Sequence, residues 1–413
     1  MAKKASMKDV RRTNRSLILR HLLLNGSTSR TEIGFVTGLS PATVTSVVNG
    51  LLREGVVKGE GFVESDGGRP RAILAIDPNG AWVIGADISE SVVRVGLFDL
   101  SLRRLAAREY AFGERHLDTS TVRDILGDAT RALVDEVGGG RFRILGLGLG
   151  VPGIVEGVTG DSDDAIIHAD VIGWHSVDFA GLADELGFPV YIDNGAKTTT
   201  QAESWLGSAR GLEHSIVVLI GEGVGAGIIT DGRLYRGSSS SAGEWGHTKI
   251  SFEGPPCRCG ARGCVETFVG ASAVLARWKG TETFSGREAE GVDALFAARR
   301  AGDEAAIKAV DTLIEQLGLA LSNLVNLYNP QKIIVGGWFG DRIATDFLDE
   351  LRRATCAYAL EQPGNEAVLA RSQLGQDAVA LGAATLAIDR FVETGWPQPF
   401  HLPDRNPPVA TLQ

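Results

Sequence analysis

One histidine and three cysteines constrain this chain more than anything else in it: His247, then Cys257, Cys259 and Cys264, threaded with Gly260 and Gly263. Three thiolates and one imidazole make a full tetrahedral set for zinc, and the glycines let a short loop fold back so that the sulfurs converge. A saturated set leaves no position for catalytic water, so the expectation is a structural zinc that fixes a loop over residues 247–264. The competing reading is a group of reduced, buried cysteines with a histidine nearby by chance. Four cysteines in 413 residues are too few for a disulfide framework, and the crowding of three of them favours metal.

Charge is divided unevenly along the chain. The net charge is -10, yet residues 1–72 carry +6 and the remainder -16. A basic head on an acidic body suggests a nucleic-acid module joined to a unit that binds something else. No run of about 18 apolar residues occurs, and the first residues lead into a charged stretch, so a cytoplasmic protein without a membrane partner is expected.

The head reads as helices. Apolar residues from Thr13 to Asn25 (Leu17, Ile18, Leu22, with Leu19 and Leu23 beside them) cover one helical face that ends at Gly26. Ser29 and Glu32 have capping-box spacing, with Ile33 and Val36 following on one face and Gly38 closing the helix. Ser40 then acts as N-cap with Pro41 at the first helical position, and Val44, Val47, Val48 and Leu51 recur at helical spacing. Ser40, Ala42, Thr43, Thr45, Ser46 and Asn49 are left as a small, uncharged surface at the start of this helix, suited to lie against base edges. Two β-rich runs between Val56 and Ile76 flank a Gly67–Arg71 tip, a hairpin wing whose Arg69 suits a minor groove. A helical protein-interaction module is the competing reading of this head. The expected units are a winged helix-turn-helix over 1–80, an α/β body over 81–395 and a proline-rich tail over 396–413.

In the body, strand patterns at Trp82–Asp87, Val92–Leu100, Ile144–Val151, Val190–Asp193 and Ser215–Ile220 alternate with helical patterns at Thr121–Val137, Lys197–Gly207, Asp303–Tyr328 and Asp377–Val392. No internal tandem repeat is visible. Several motifs occur in order: Gly-Leu-Gly-Val-Pro-Gly over 148–153, Gly-Glu-Gly-Val-Gly-Ala-Gly over 221–227, Gly-Glu-Trp-Gly-His over 243–247, the cysteine cluster running into Val265 and Glu266, Ile-Val-Gly-Gly over 334–337, and Leu-Gly-Ala-Ala over 381–384. Together they resemble the ROK family of bacterial sugar kinases and repressors, across residues 81 to about 390. A winged helix-turn-helix ahead of such a body is the mark of the family's repressor branch. The resemblance implies an actin/hexokinase-like α/β fold, with sugar held in the cleft between two lobes.

Carried over residue by residue, the family's sugar-binding positions fall on Asn194, Glu244, His247 and Glu266, with Asp170 standing where the family often has asparagine. His247 would both touch sugar and ligate zinc. Carboxylates suit this task because each oxygen accepts directed, charge-assisted hydrogen bonds from hydroxyls. A structural alternative is that Glu244 and Glu266 cap a helix or support the zinc loop.

The sequence departs from the family's kinases at three places. Gly195 stands where those enzymes have the aspartate that takes the proton from the sugar hydroxyl, and glycine cannot do so. Their first phosphate loop, Asp-x-Gly-Gly-Thr, is Asp87–Ser91 here with Glu90 added, and their second, Gly-Thr-Gly, is Gly221-Glu222-Gly223. Two extra carboxylates should repel a polyphosphate, by about 4 kcal/mol each at ~4 Å and an effective dielectric near 20. The expectation is therefore a sugar-responsive, DNA-binding transcriptional regulator with no catalytic residue: bacterial, nucleoid-associated, a homodimer or homotetramer on an inverted-repeat operator, with a monosaccharide or sugar phosphate as effector. The alternative is a sugar kinase that phosphorylates a hexose with ATP.

Overall fold

A computed structural model describes residues 6–65, 68–112, 118–138, 143–157 and 164–397, and of residues 63–65 and 68–70 the backbone only. Gly67, the Arg69 side chain and the tail from residue 398 lie outside that description. Among the described residues no single helix is long and apolar enough to cross a membrane.

The chain begins with α1 (Met7–Asn25), β1 (Thr28–Ser29), α2 (Arg30–Thr37), α3 (Pro41–Glu54), β2 (Val57–Ser65) and β3 (Gly68–Ile76), the strands ordered β1-β3-β2. Helix α1 starts at Met7 because Ser6 and Asp9 form a reciprocal capping box, a signal placed before the apolar stripe that suggested Thr13. Ser29 caps α2 through the Glu32 amide at 3.2 Å. Ser40 caps α3, Pro41 follows it, and Gly55 ends the helix in the left-handed conformation. The axes of α2 and α3 are bent by 118°, as in a helix-turn-helix. Two apolar positions expected inside lie outside: Leu17 is 43% exposed and Val36 is 54% exposed. Successive helical residues turn by about 100°, so Ile18, Leu19 and Leu22 fill the inner face of α1, and the short α2 turns only Ile33 fully inward.

The body contains two five-stranded sheets. The first comprises β4 (Trp82–Ile88), β5 (Val92–Asp99), β6 (Arg104–Ala111), β7 (Ile144–Val151) and, after the three short strands β8 (Ile154–Glu156), β9 (Ile166–Ala169) and β10 (Trp174–Val177), β11 (Val190–Asn194). Helices α4 (Thr119–Glu136) and α5 (Leu182–Leu186) belong to this lobe, and α6 (Gly195–Leu206) leads out of it. The second sheet comprises β12 (Ser215–Ile220), β13 (Val224–Thr230), β14 (Arg233–Leu234), β15 (Lys332–Gly336) and β16 (Val368–Arg371). With it go α7 (Glu266–Val269), α8 (Ala271–Lys279), α9 (Glu288–Arg300), α10 (Glu304–Tyr328), α11 (Trp338–Tyr358) and α12 (Glu361–Glu366).

The strand orders are β11-β7-β4-β5-β6 and β14-β13-β12-β15-β16. In each sheet one strand begins an antiparallel three-strand meander on one side and has two successive parallel strands on the other. The two lobes therefore repeat one topology. The repeat is invisible in the sequence because a β-strand demands only apolar residues at the right spacing, which many sequences satisfy.

The final helix, α13 (Ala378–Thr394), crosses back onto the first lobe and against α6. Gly148 and Gly382 make this possible: a Cβ at Gly148 would stand 1.8 Å from the Ala383 carbonyl oxygen, and one at Gly382 would stand 1.9 Å from that of Thr198. The other face of α13 packs against α1, and Ile18, Leu19, Leu22 and Leu51 share one hydrophobic core with Ala384, Ile388, Phe391 and Val392. Polar ties reinforce this seam. Arg15 donates to the Phe391 carbonyl at 3.2 Å and pairs with Glu54 at 2.9 Å, Trp396 donates to Glu54 at 3.1 Å, and Arg20 pairs with Asp389. The fold is α/β, a helix-turn-helix unit with a hairpin followed by a two-lobed body.

Candidate functional site

The loop after β14 brings the histidine and three cysteines together. A 3-10 turn over Trp245–His247 presents the imidazole, and isolated bridges Lys249↔Cys264 and Pro256↔Arg262 fold the cysteine segment back. Gly263 is obligatory in this loop: its φ is +72°, and a Cβ there would lie 1.7 Å from the Ser251 carbonyl oxygen. All four ligand atoms lie within 4.8 Å of one another, with His247 Nδ1 3.6 Å from Cys257 Sγ and Cys259 Sγ 3.7 Å from Cys264 Sγ. A zinc–sulfur bond of about 2.3 Å sets tetrahedral sulfur–sulfur edges of about 3.8 Å, so the donor set fits such an ion. Burial pushes the Cys257 thiol up to about 12.

The family-implied sugar residues are spent unequally on the fold. Glu244, at the head of the same 3-10 turn, is half-buried, and no hydrogen bond to its carboxylate exists among the described residues. Burial raises its pKa, against the pull of Lys197 and His247. Glu266 opens α7; its Oε2 accepts from the Val224 amide at 3.0 Å and its Oε1 from Arg258 Nε at 2.8 Å. Asn194 caps α6, accepting from the Ala196 and Lys197 amides at 2.9 and 3.3 Å and donating to the Gly153 carbonyl at 2.6 Å. Asp170 sits on an exposed turn paired with His175 at 2.9 Å, and no described contact joins it to Glu244, His247 or Glu266.

Three cations absent from the sequence reading stand beside these residues. Lys197, in the first turn of α6, is only 2% exposed; its ammonium donates to the Ser240 carbonyl, and burial lowers its pKa while Asp193 and Glu244 oppose that. Arg236 pairs with the buried Asp193 at 2.6 Å. Arg258, between the first two cysteines, pairs with Glu90 at 2.9 Å and with Glu266. A lone lysine in the Ala196–Thr200 run of small residues was the available signal for the first; nothing local marked the other two.

The stretches resembling phosphate loops come into contact. Ser91 Oγ donates to Glu222 Oε1 at 3.3 Å, and Arg258 donates to the Glu222 carbonyl at 3.0 Å. Glu90, expected to repel a polyphosphate, is buried and paired with Arg258, which it shares with Glu266. Burial pushes the Asp87 carboxyl up to about 6, with Arg94 opposing. Gly195 is the first residue of α6, and a Cβ there would meet only Val379 at 3.6 Å and the Val151 carbonyl at 3.7 Å, ordinary contacts.

On α3, Ala42, Thr45, Ser46 and Asn49 are exposed and Thr43 is half-buried. Ser40 Oγ is taken up by the cap on the Thr43 amide, and Asn49 Oδ1 accepts from Arg30 at 3.1 Å.

Comparison with known proteins agrees along nearly the whole chain. Residues 83–390 match the ROK family. The xylose repressor of Bacillus subtilis (strain 168) is 30% identical over 388 residues, covering 93% of this chain and 97% of that protein. A glucokinase of Halalkalibacterium halodurans is 33% identical over 255 residues, covering 59% of this chain and 76% of the kinase. Among solved structures, a ROK family transcriptional regulator homologous to the Escherichia coli MLC protein superposes with a TM-score of 0.75 at 22% identity, covering 93% of this chain and 98% of the other.

Proposed function

The chain belongs to the ROK family, and from that premise we propose that it is a sugar-responsive, DNA-binding transcriptional repressor with no kinase activity. One observation carries this reading: the likeness to the xylose repressor covers 93% of the chain, whereas that to the glucokinase covers 59%. In this reading the exposed Ala42, Thr45, Ser46 and Asn49, with Thr43, meet base edges, while Ser40 orients the helix as its cap and Arg69 enters the minor groove. Two such units in a homodimer or homotetramer read an inverted repeat. Zinc on His247, Cys257, Cys259 and Cys264 holds the loop that presents Glu244 and Glu266, supplying structure and no chemistry. A monosaccharide or sugar phosphate binds at Glu244, His247 and Glu266, with Asn194 setting the cleft wall and Asp170 at most a peripheral contact. The protein acts in the bacterial cytoplasm, on the nucleoid.

Packing supplies a route between cleft and DNA. Helix α6 starts beside Asp193 and Asn194, its Thr198 backbone lies against Gly382 of α13, and α13 packs against α1. A ligand that favours one lobe angle shifts this stack only as far as it binds one state better than the other.

The test is a gel shift on the DNA upstream of the chain's own coding region, with and without D-xylose, N-acetyl-D-glucosamine, D-glucose and their phosphates. One of these should change operator affinity about 5- to 150-fold, and Glu244→Ala should abolish the change while leaving DNA binding and zinc content intact. Absence of any retardation at low salt would overturn the DNA-binding reading, and an unchanged response in the variant would overturn the cleft assignment.

A further inference from the structure

Arg258 stands between two zinc-loop cysteines, yet its guanidinium is spent away from that loop. Nη1 pairs with Glu90 at 2.9 Å, Nε with Glu266 at 2.8 Å, and Nη2 donates to the Glu222 carbonyl at 3.0 Å. Glu90 belongs to the β4–β5 turn of the first lobe; Glu222, Glu266 and Arg258 belong to the second. The Glu90 and Glu266 side chains are 8% and 11% exposed. A planar fork meeting three acceptors in this way fixes orientation as well as charge. Glu266 has one oxygen on the Val224 amide and the other on Arg258, so its carboxylate is oriented by a residue that is itself anchored on the opposite lobe.

We propose that Arg258 is the positioning residue of Glu266 and that Glu90 of the facing lobe, by fixing the guanidinium, tightens its hold on Glu266. This rests on reading the cleft as the ligand site, and it adds that a ligand hydroxyl taking Glu266 Oε1 competes with the tie that joins the lobes. Ligand occupancy and lobe angle then share one hydrogen-bonding atom.

The Val224 amide, which donates to Glu266 Oε2, reports on that carboxylate without any ligand. Hydrogen exchange of the full, zinc-loaded chain should show this amide about three- to tenfold faster in Glu90→Gln than in wild type, although the substitution lies on the other lobe. Glu90→Asp, which keeps the charge, should fall between the two. Arg258→Met should match Glu90→Gln, the double variant should add nothing to the faster single, and high salt should speed exchange in wild type but not in Glu90→Gln. Elemental analysis of Glu90→Gln should still find one zinc per chain, separating loss of the tie from loss of the metal loop. If Glu90→Gln leaves Val224 at the wild-type rate, the dependence on the facing lobe is refuted, whatever Arg258→Met does. Failure of the sugar screen with these exchange effects intact would overturn the ligand assignment and leave the tie standing.

Discussion

Where the two lobes meet, a long cysteine loop between β14 and α7 faces short turns after β4 and β12, and the two are finished in opposite ways. On the side of the cysteine loop, Glu244 keeps a half-buried carboxylate with no hydrogen-bond partner among the described residues, its pKa raised by burial. On the side of the phosphate-like loops, Glu90 is buried under an arginine, Ser91 touches Glu222 across the gap, and Gly195 opens α6. Among the described residues, one side keeps a half-buried carboxylate without a hydrogen bond, and the other pairs its carboxylates internally.

Removing one thiolate should break the open side outright. Cys259→Ser is expected to lose metal and at least about 4 kcal/mol of stability, since folding of such loops is coupled to the metal. Elemental analysis and thermal melting check this together. A variant that melts like wild type and holds no zinc would mean that the loop stands on its own backbone bridges.

A smaller effect sharpens the contrast from the sealed side. The Asp87 carboxyl is held up to about 6 by burial, above the ordinary value near 3.9. Between those values the folded state binds a proton that the unfolded chain does not, so this group's contribution to stability is full below about pH 4 and is lost as pH rises through 6. Asp87→Asn should therefore stabilise the protein at pH 7.5, by about 1 to 3 kcal/mol, and the gain should vanish near pH 4. Denaturant titrations at both pH values test it; destabilisation at pH 7.5 would show that the Arg94 pair outweighs burial.

The smallest expected effect is none. Gly195→Asp restores a carboxylate where the structure has room for it, and on an open nucleotide side such a base would contribute about 10²- to 10⁴-fold in rate. With Arg258, Glu90 and Glu222 filling that side, no ATP-dependent phosphorylation of D-glucose is expected in a coupled assay. Measurable turnover would erase the distinction between the two sides.

Much of this was legible in the chain. The strand Ser215–Ile220 and the Asp303 cap of the long α10 coincide with the pattern reading, because buried apolar runs and N-caps are local signals. The four metal-type ligands were equally legible. Strand β6, an edge strand carrying Arg104, Arg108 and Glu109, was missed because edge strands carry weak apolar alternation, and β8–β10 were missed because they are only three or four residues long. Glu90 and Arg258, 168 residues apart in sequence, carried no mutual signal.

The sequence by itself determined the local elements, the convergence of His247, Cys257, Cys259 and Cys264, and the basic head with its capped helix, since each depends on residue type and short spacing. Only the tertiary structure decided that Asn194 is spent on a helix cap, that Asp170 stands apart, that Arg258 ties two glutamates across the lobes, and that the N-terminal unit and α13 share one core. The reason is physical. Caps, turns and metal loops close over a few residues, whereas the partner of a buried charge is whichever group the folded lobes bring within about 3 Å of it, and that is fixed by packing rather than by position along the chain.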